Sequence, residues 1–305
     1  MTIVSGSSGP GWKGVALYDS HTNTPVRMAQ FNGVTRVPVS SVLVDSSGNE
    51  LSSVSTQGGV SLKVSNEADP ADGFRGYGEV VNANGNNIDV WVGPTAIQPE
   101  PVPGGYQLWV ESTSAADNGT STTGVLTVEV HYLDTSGAQQ STGPITLDGQ
   151  TPVNTGITDC MFVNTFHALT TGTGLVAAGR VDCTQGSGGA VVSSIAVAGN
   201  WALSTMRQIP TGKQLCLAGW HISSGVSAGG KLATVRLRST SDEDGVLVPN
   251  VYLFKDTVIL RDSAQGHIPV SPKIIVPALA TIKISTWTSG AVNVAGRWQG
   301  WLEDV

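Results

Sequence analysis

Charge is scarce in this 305-residue chain: 13% of its residues are charged, with 16 Lys and Arg against 23 Asp and Glu and a net charge of −7. So few basic residues leave no broad surface to neutralise phosphates and release counterions, and nucleic acid is not an expected ligand. Long hydrophobic runs are missing too. No window approaches ~18 uninterrupted apolar residues, so no membrane partner is expected. The opening MTIVSGSSGPGWKG lacks the basic region and apolar core of a signal peptide, which points to a chain made and used in solution. Cysteine is limited to Cys160, Cys183 and Cys216. Without a CxxC pair, and odd in number, these cannot close a full disulfide framework and are expected as buried, reduced thiols. Zinc would need those thiols together with His131, His167 or His221, which lack the short paired spacing that preorganises a tetrahedral site. Neither a metal nor another cofactor is expected.

What is abundant favours strands and turns. The 38 Gly and 15 Pro break helices throughout, while Ser, Thr and Val recur in short runs. At this length the chain can bury roughly 75% of the surface its unfolded form exposes, so it needs no covalent staples. Leu126, Val128, Val130 and Tyr132 alternate with Thr127, Glu129 and His131 before Asp134-Thr135-Ser136-Gly137, the pattern of a strand with one buried face entering a turn. A similar hairpin is expected where Val42, Leu43 and Val44 meet Asp45-Ser46-Ser47-Gly48-Asn49. The Pro-rich stretch from Gly93 to Gly105 reads as a loop or extended edge. Further strands are expected at Tyr106–Val110, Val125–Leu133, Ala190–Ala198, Gln214–Ile222, Leu232–Arg238, Val251–Arg261, Ile268–Ile275, Thr281–Trp287 and Val292–Trp301. About nine strands without an alternating helical pattern argue for an all-β fold, a jelly-roll-like two-sheet sandwich. Residues 76–305 would form that sandwich and residues 1–75 an extended N-terminal arm or small β module.

Catalytic signatures are thin. Gly9-Pro10-Gly11-Trp12-Lys13-Gly14 matches a bare GxGxxG, and Gly172 to Ala177 nearly does, but neither follows a good strand and opens a helix. GxxxxGK[ST], GxSxG, HExxH and the EF-hand loop are all missing. Asp134-Thr135-Ser136-Gly137 fails the aspartic protease pattern at its third position and reads as an Asp-capped turn. Glycosidase chemistry needs two carboxylates facing each other across a cleft, and nothing in their spacing pairs Glu79, Asp89, Glu111 and Glu129. Asp242-Glu243-Asp244-Gly245 could hold a hard cation, but reads more simply as a solvated loop. Arg236, Arg238 and Arg261 suit a polar sheet face, intersubunit ion pairs or an anionic sugar. Asn118-Gly119-Thr120 reads as a turn rather than a glycosylation acceptor. Trp201, Trp220, Trp287, Trp298 and Trp301 are expected to weld the sheets or a subunit interface, with a sugar-stacking platform as the rival role. No catalytic, cofactor-binding or metal residues are assigned, and the protein is not expected to be an enzyme.

The run Ser204-Thr205-Met206-Arg207-Gln208-Ile209-Pro210-Thr211-Gly212-Lys213 leads into Gly219-Trp220; Ala233-Thr234-Val235-Arg236-Leu237-Arg238 and the ending Gly300-Trp301-Leu302-Glu303-Asp304 follow. In these segments residues 106–305 resemble a group of structural proteins from tailed bacteriophages, many of them from aquatic hosts. The resemblance implies a virion protein, assembled in the host cytoplasm, with a jelly-roll sandwich that commonly forms a homotrimer. It further implies a cement or decoration role on the capsid, with the major capsid protein as partner. A tail, vertex or spike protein binding host glycans is the alternative.

Overall fold

The computed structural model describes residues 73–305 apart from Thr122 and 226–228, together with the backbone of seven short strands in the first 72 residues. Met1–Asp72 and Gly73–Val305 are separate compact units. In the first, β1 (Val4–Ser7) pairs with β2 (Lys13–Ala16), and β3 (Ala29–Phe31) with β4 (Val34–Arg36). There β6 (Glu50–Val54) lies between β5 (Leu43–Val44) and β7 (Leu62–Val64). The expected hairpin therefore forms, with Val44 opposite Glu50, while its turn at 45–49 and most of the 9–14 glycine motif fall outside the described residues.

The second unit is all-β and sandwich-like, without a helix among the described residues. Its apolar side chains gather into two cores. The first belongs to a sandwich of two antiparallel sheets. One sheet carries β10 (Val125–Asp134), β11 (Gln139–Ser141), β12 (Ile145–Thr146) and β14 (Cys160–Thr171). The other runs in the order β13 (Val153–Asn154), β9 (Leu108–Ser112), β15 (Val181–Gln185), β16 (Val191–Ile195). Val128, Val130 and Tyr132 turn inward to meet Val163 and Phe166, whereas Thr127, Glu129 and His131 face outward, as the period of two requires.

The second core is wrapped by a curled seven-stranded sheet in the order β20 (Leu253–Arg261), β19 (Leu232–Ser239), β22 (Thr281–Asp304), β18 (Lys213–Gly225), β21 (Ala264–Val276). The flanking strands β8 (Gly73–Asp89) and β17 (Arg207–Gln208) also pair with β22. Trp220 and Trp298 are fully buried here, directly opposite each other on β18 and β22. The Trp220 indole N–H reaches Asp256 Oδ2 on β20 at 2.9 Å, drawing the sheet around the core.

Several strands depart from the sequence expectations. β22 is one strand where two were expected. Its first half lies beside β19 and its second beside β18, and the chain bends at Ser289-Gly290, with register shifts between Thr288 and Val294, instead of reversing. β8 was not anticipated, because its glycine-rich sequence carries little β propensity. The glycines serve close approach: a Cβ on Gly78 would stand 2.1 Å from the Val90 carbonyl oxygen, and one on Gly76 2.6 Å from both Thr205 O and Trp298 Nε1. β14 and β15 were also missed, since their apolar runs are broken by Asn, Thr, His and Asp residues.

The Pro-rich stretch is irregular, as expected, and lies inside the compact unit that begins at Gly73. It spans the two halves: Val102 N–H donates to Met161 O on β14, and Glu100 accepts from Lys283 Nζ on β22 at 3.0 Å. Lys283 is itself buried and also bonds buried Asp89 at 3.1 Å, while Gln98 N–H donates to the same Asp89 oxygen. Burial pushes the Asp89 carboxyl up, and Lys283 draws it back only in part.

Candidate functional site

Four histidines collect into two clusters, each on the outer face of a sheet. The first lies on the sandwich. Cross-strand pairing sets Glu129 of β10 opposite His167 of β14, and His131 follows two residues after Glu129 on the same face. Glu129 Oε2 stands 3.6 Å from His167 Nε2 and 3.7 Å from His131 Nε2. The two imidazoles lie nearly parallel, with centroids 5.7 Å apart, and the stack continues from His167 to Trp201 at 4.8 Å. Trp201, 45% exposed, is placed by the bridge it forms with His167 and by Ala202 N–H donating to Phe166 O.

The His167 ring is poorly satisfied. Nδ1 is buried without a partner, and Nε2 is beyond ordinary hydrogen-bond reach of Glu129. Burial first, then the neighbouring His131, lowers its pKa against the pull of Glu129, which favours the neutral ring with a free lone pair. Glu129 Oε1 accepts from Ser141 Oγ, which orients the carboxylate and leaves Oε2 toward the imidazoles.

The second cluster is a row across four strands of the curled sheet: His267 of β21, His221 of β18, Arg297 of β22 and Tyr77 of β8 are cross-strand neighbours in that order. The His221 and His267 rings stack at 3.9 Å, and an Arg297 N–H lies 3.4 Å from His221 Nε2. Together they line an open groove of about 610 Å³. Partial desolvation, then Arg297 and His267, hold the His221 pKa down. Arginine with two imidazoles and a phenol suits an anionic or polar ligand.

The remaining sequence candidates take structural places. All three cysteines are fully buried outside any disulfide, and burial pushes the Cys160 thiol up to about 12 and the Cys183 thiol up as well. Glu79 and Asp89 sit on β8, Glu111 on β9 and Glu129 on β10, and no described hydrogen bond joins any two of them. Gly172–Ala177 makes turns rather than opening a helix, with Leu175 N–H donating to Gly172 O. Asn118 Oδ1 accepts from Thr120 N–H in a turn. Asp242 Oδ1 accepts from Val246 N–H, so the acidic loop is a capped turn as well. Of the five tryptophans expected in the core or an interface, Trp220 and Trp298 are fully buried, Trp287 and Trp301 are partly covered, and Trp201 departs from the core by standing in the exposed stack.

Asp134 is the capping residue its sequence suggests. Oδ1 accepts from Ser136 N–H and Ala138 N–H, and Gly137 adopts φ +79°. The Ser136 hydroxyl and the other capping donors hold its carboxyl below the usual range of about 3.8. A carboxylate with a lowered folded-state pKa contributes its stability above the unfolded value and loses it as pH falls through the folded one. Asp134→Asn is therefore expected to be less stable than the parent at pH 7, by about 0.5–1.5 kcal/mol, with the difference closing as pH is lowered below about 3.8. Urea midpoints measured across pH 2–7 check this.

Comparison with known proteins found no matching family model, no matching curated protein and no matching solved structure.

Proposed function

We propose that this protein is a non-catalytic virion component of a tailed bacteriophage, attached to the outer capsid surface as a decoration or cement protein. The major capsid protein is its partner and a homotrimer its assembly unit. The observation that carries the reading is the outer face of β19 and β20. Leu232, Phe254 and Ile259 stand 39%, 57% and 67% exposed there, interleaved with Arg236, Arg238 and Arg261. Arg236 and Arg238 lie 5.2 and 4.9 Å from the Phe254 ring centroid, and Trp287 is the β22 neighbour of Thr234 on the same face. Exposed apolar side chains rimmed by arginine have the composition of a protein contact surface. The arginines also suit an acidic partner better than this chain's own net charge of −7 would suggest. Among the carboxylates considered for acid–base chemistry, Asp89 is bonded to Lys283 and Glu129 accepts from Ser141, which accords with a protein that works by contact. Many such modest contacts would sum through effective concentration around a capsid.

The test is the copy number per purified particle, by quantitative mass spectrometry against the major capsid subunit. Hundreds of copies are expected, and none would overturn the virion reading. Phe254→Glu with Ile259→Glu should lower occupancy about tenfold or more, since a lost hot spot of roughly 1.4 kcal/mol or above has that effect. Undiminished occupancy would remove this face from the interface.

The groove lined by Tyr77, His221, His267 and Arg297 favours a second reading, a tail, vertex or spike protein that holds an anionic host glycan. A few to a few dozen copies per particle, with glycan binding abolished by Arg297→Ala, would support it over decoration.

A further inference from the structure

Glu129, His131 and His167 offer one oxygen and two imidazole nitrogens that all lie within 4.8 Å of one another. We propose that they form a binding site for a divalent transition metal of the zinc class, which clips β10 to β14 on the outer face of the sandwich.

The geometry is close to what such an ion requires. Bonds of about 2.0–2.2 Å at tetrahedral angles separate neighbouring ligand atoms by roughly 3.3–3.6 Å. The two nitrogen–oxygen separations are already 3.6 and 3.7 Å. The backbone needs no movement, because the ladder between β10 and β14 fixes Glu129 opposite His167. His167 is held against Trp201, whereas the His131 side chain is 39% exposed and free to rotate its ring out of the parallel stack toward the shared point. The Ser141 hydroxyl secures Glu129 Oε1, so Oε2 is the available donor.

The donor set decides the class of ion. Two imidazoles and one carboxylate suit zinc and its neighbours, while calcium and magnesium prefer all-oxygen shells. Three protein ligands on a half-exposed sheet face leave a fourth position to water. The cysteines take no part, being buried away from the cluster. Binding ties together strands that are separated in sequence, so it stabilises the folded sandwich by mass action.

The full-length protein, stripped with chelator and dialysed, should take up one equivalent of Zn²⁺ in calorimetric titration and by elemental analysis. Cobalt(II) should give the visible bands of a low-coordinate site. At about a hundredfold excess of zinc over its Kd, the unfolding midpoint should rise by roughly 5 °C. His167→Gln and Glu129→Gln should each abolish uptake at that stoichiometry and the thermal shift. His131→Gln, at the most exposed ligand, keeps the test decisive should either of those fail to fold. The double variant His221→Gln, His267→Gln should bind as the parent does. Saturable uptake that survives the changes at 129, 131 and 167, uptake lost with the 221/267 pair, or no saturable uptake by the parent would each overturn the proposal.

Discussion

Trp298→Ala is expected to lower the stability of the 73–305 unit by about 3–5 kcal/mol, the range for truncating a fully buried aromatic side chain. Trp298 lies in the second half of β22, with Trp220 opposite it on β18 and Gly76 opposite it on β8. Its ring is fully buried and contacts Phe74 at a centroid separation of 5.8 Å. Its indole N–H donates to Thr205 O at 2.6 Å. Truncation thus leaves a cavity among three strands and an unpaired buried carbonyl. The neighbouring backbone cannot close the gap without breaking the β8 and β18 ladders, so the site has little capacity to collapse. Trp298→Phe keeps most of the ring and loses only the indole donor, and should cost about 1–3 kcal/mol. Urea unfolding of both variants separates the packing loss from the hydrogen-bond loss. Equal costs would mean that packing around the ring contributes little.

The second large effect is expected at the buried charges between the two cores. Asp89→Ala removes a carboxylate 3.1 Å from Lys283 Nζ and leaves that ammonium buried, which costs about 3–5 kcal/mol when no other partner remains. Here the loss should fall near 3 kcal/mol, because Glu100 stays within 3.0 Å and the Tyr252 ring lies 4.0 Å from the ammonium. The raised Asp89 pKa indicates that desolvation outweighs the attraction of its partner. The double replacement Asp89→Leu, Lys283→Met, which buries no charge, should therefore recover most of the loss. Thermal and urea denaturation of the single and double variants form the cycle. A double variant as unstable as Asp89→Ala would show that the ion pair, and not merely its uncompensated half, holds the end of β8 to β22.

How far the sequence led can be judged at particular strands. β10 was legible because a run of alternating residues announces both the strand and its buried face, and Glu129 and His131 could be placed outward from the same pattern. β8 was not, because its glycines were selected for the space left by Thr205, Val90 and Trp298, which are distant in sequence. The histidine clusters failed for a similar reason. The Glu129-x-His131 spacing is visible in the chain, but His167 joins it only through the pairing of β10 with β14.

By itself the sequence determined an all-β chain, its buried thiols and the turn capped by Asp134, because alternation, sparse charge and local side-chain-to-backbone bonds act over a few residues. Only the tertiary structure decided that the apolar faces divide between two cores. It alone made β22 continuous, brought Trp201 out to stack on His167, and placed Glu129, His131 and His167 within reach of a common ion. The physical reason is that a period of two fixes which side of a strand is wet but not which strand lies next to it. That choice is made by long-range backbone pairing and by how the buried faces fill space.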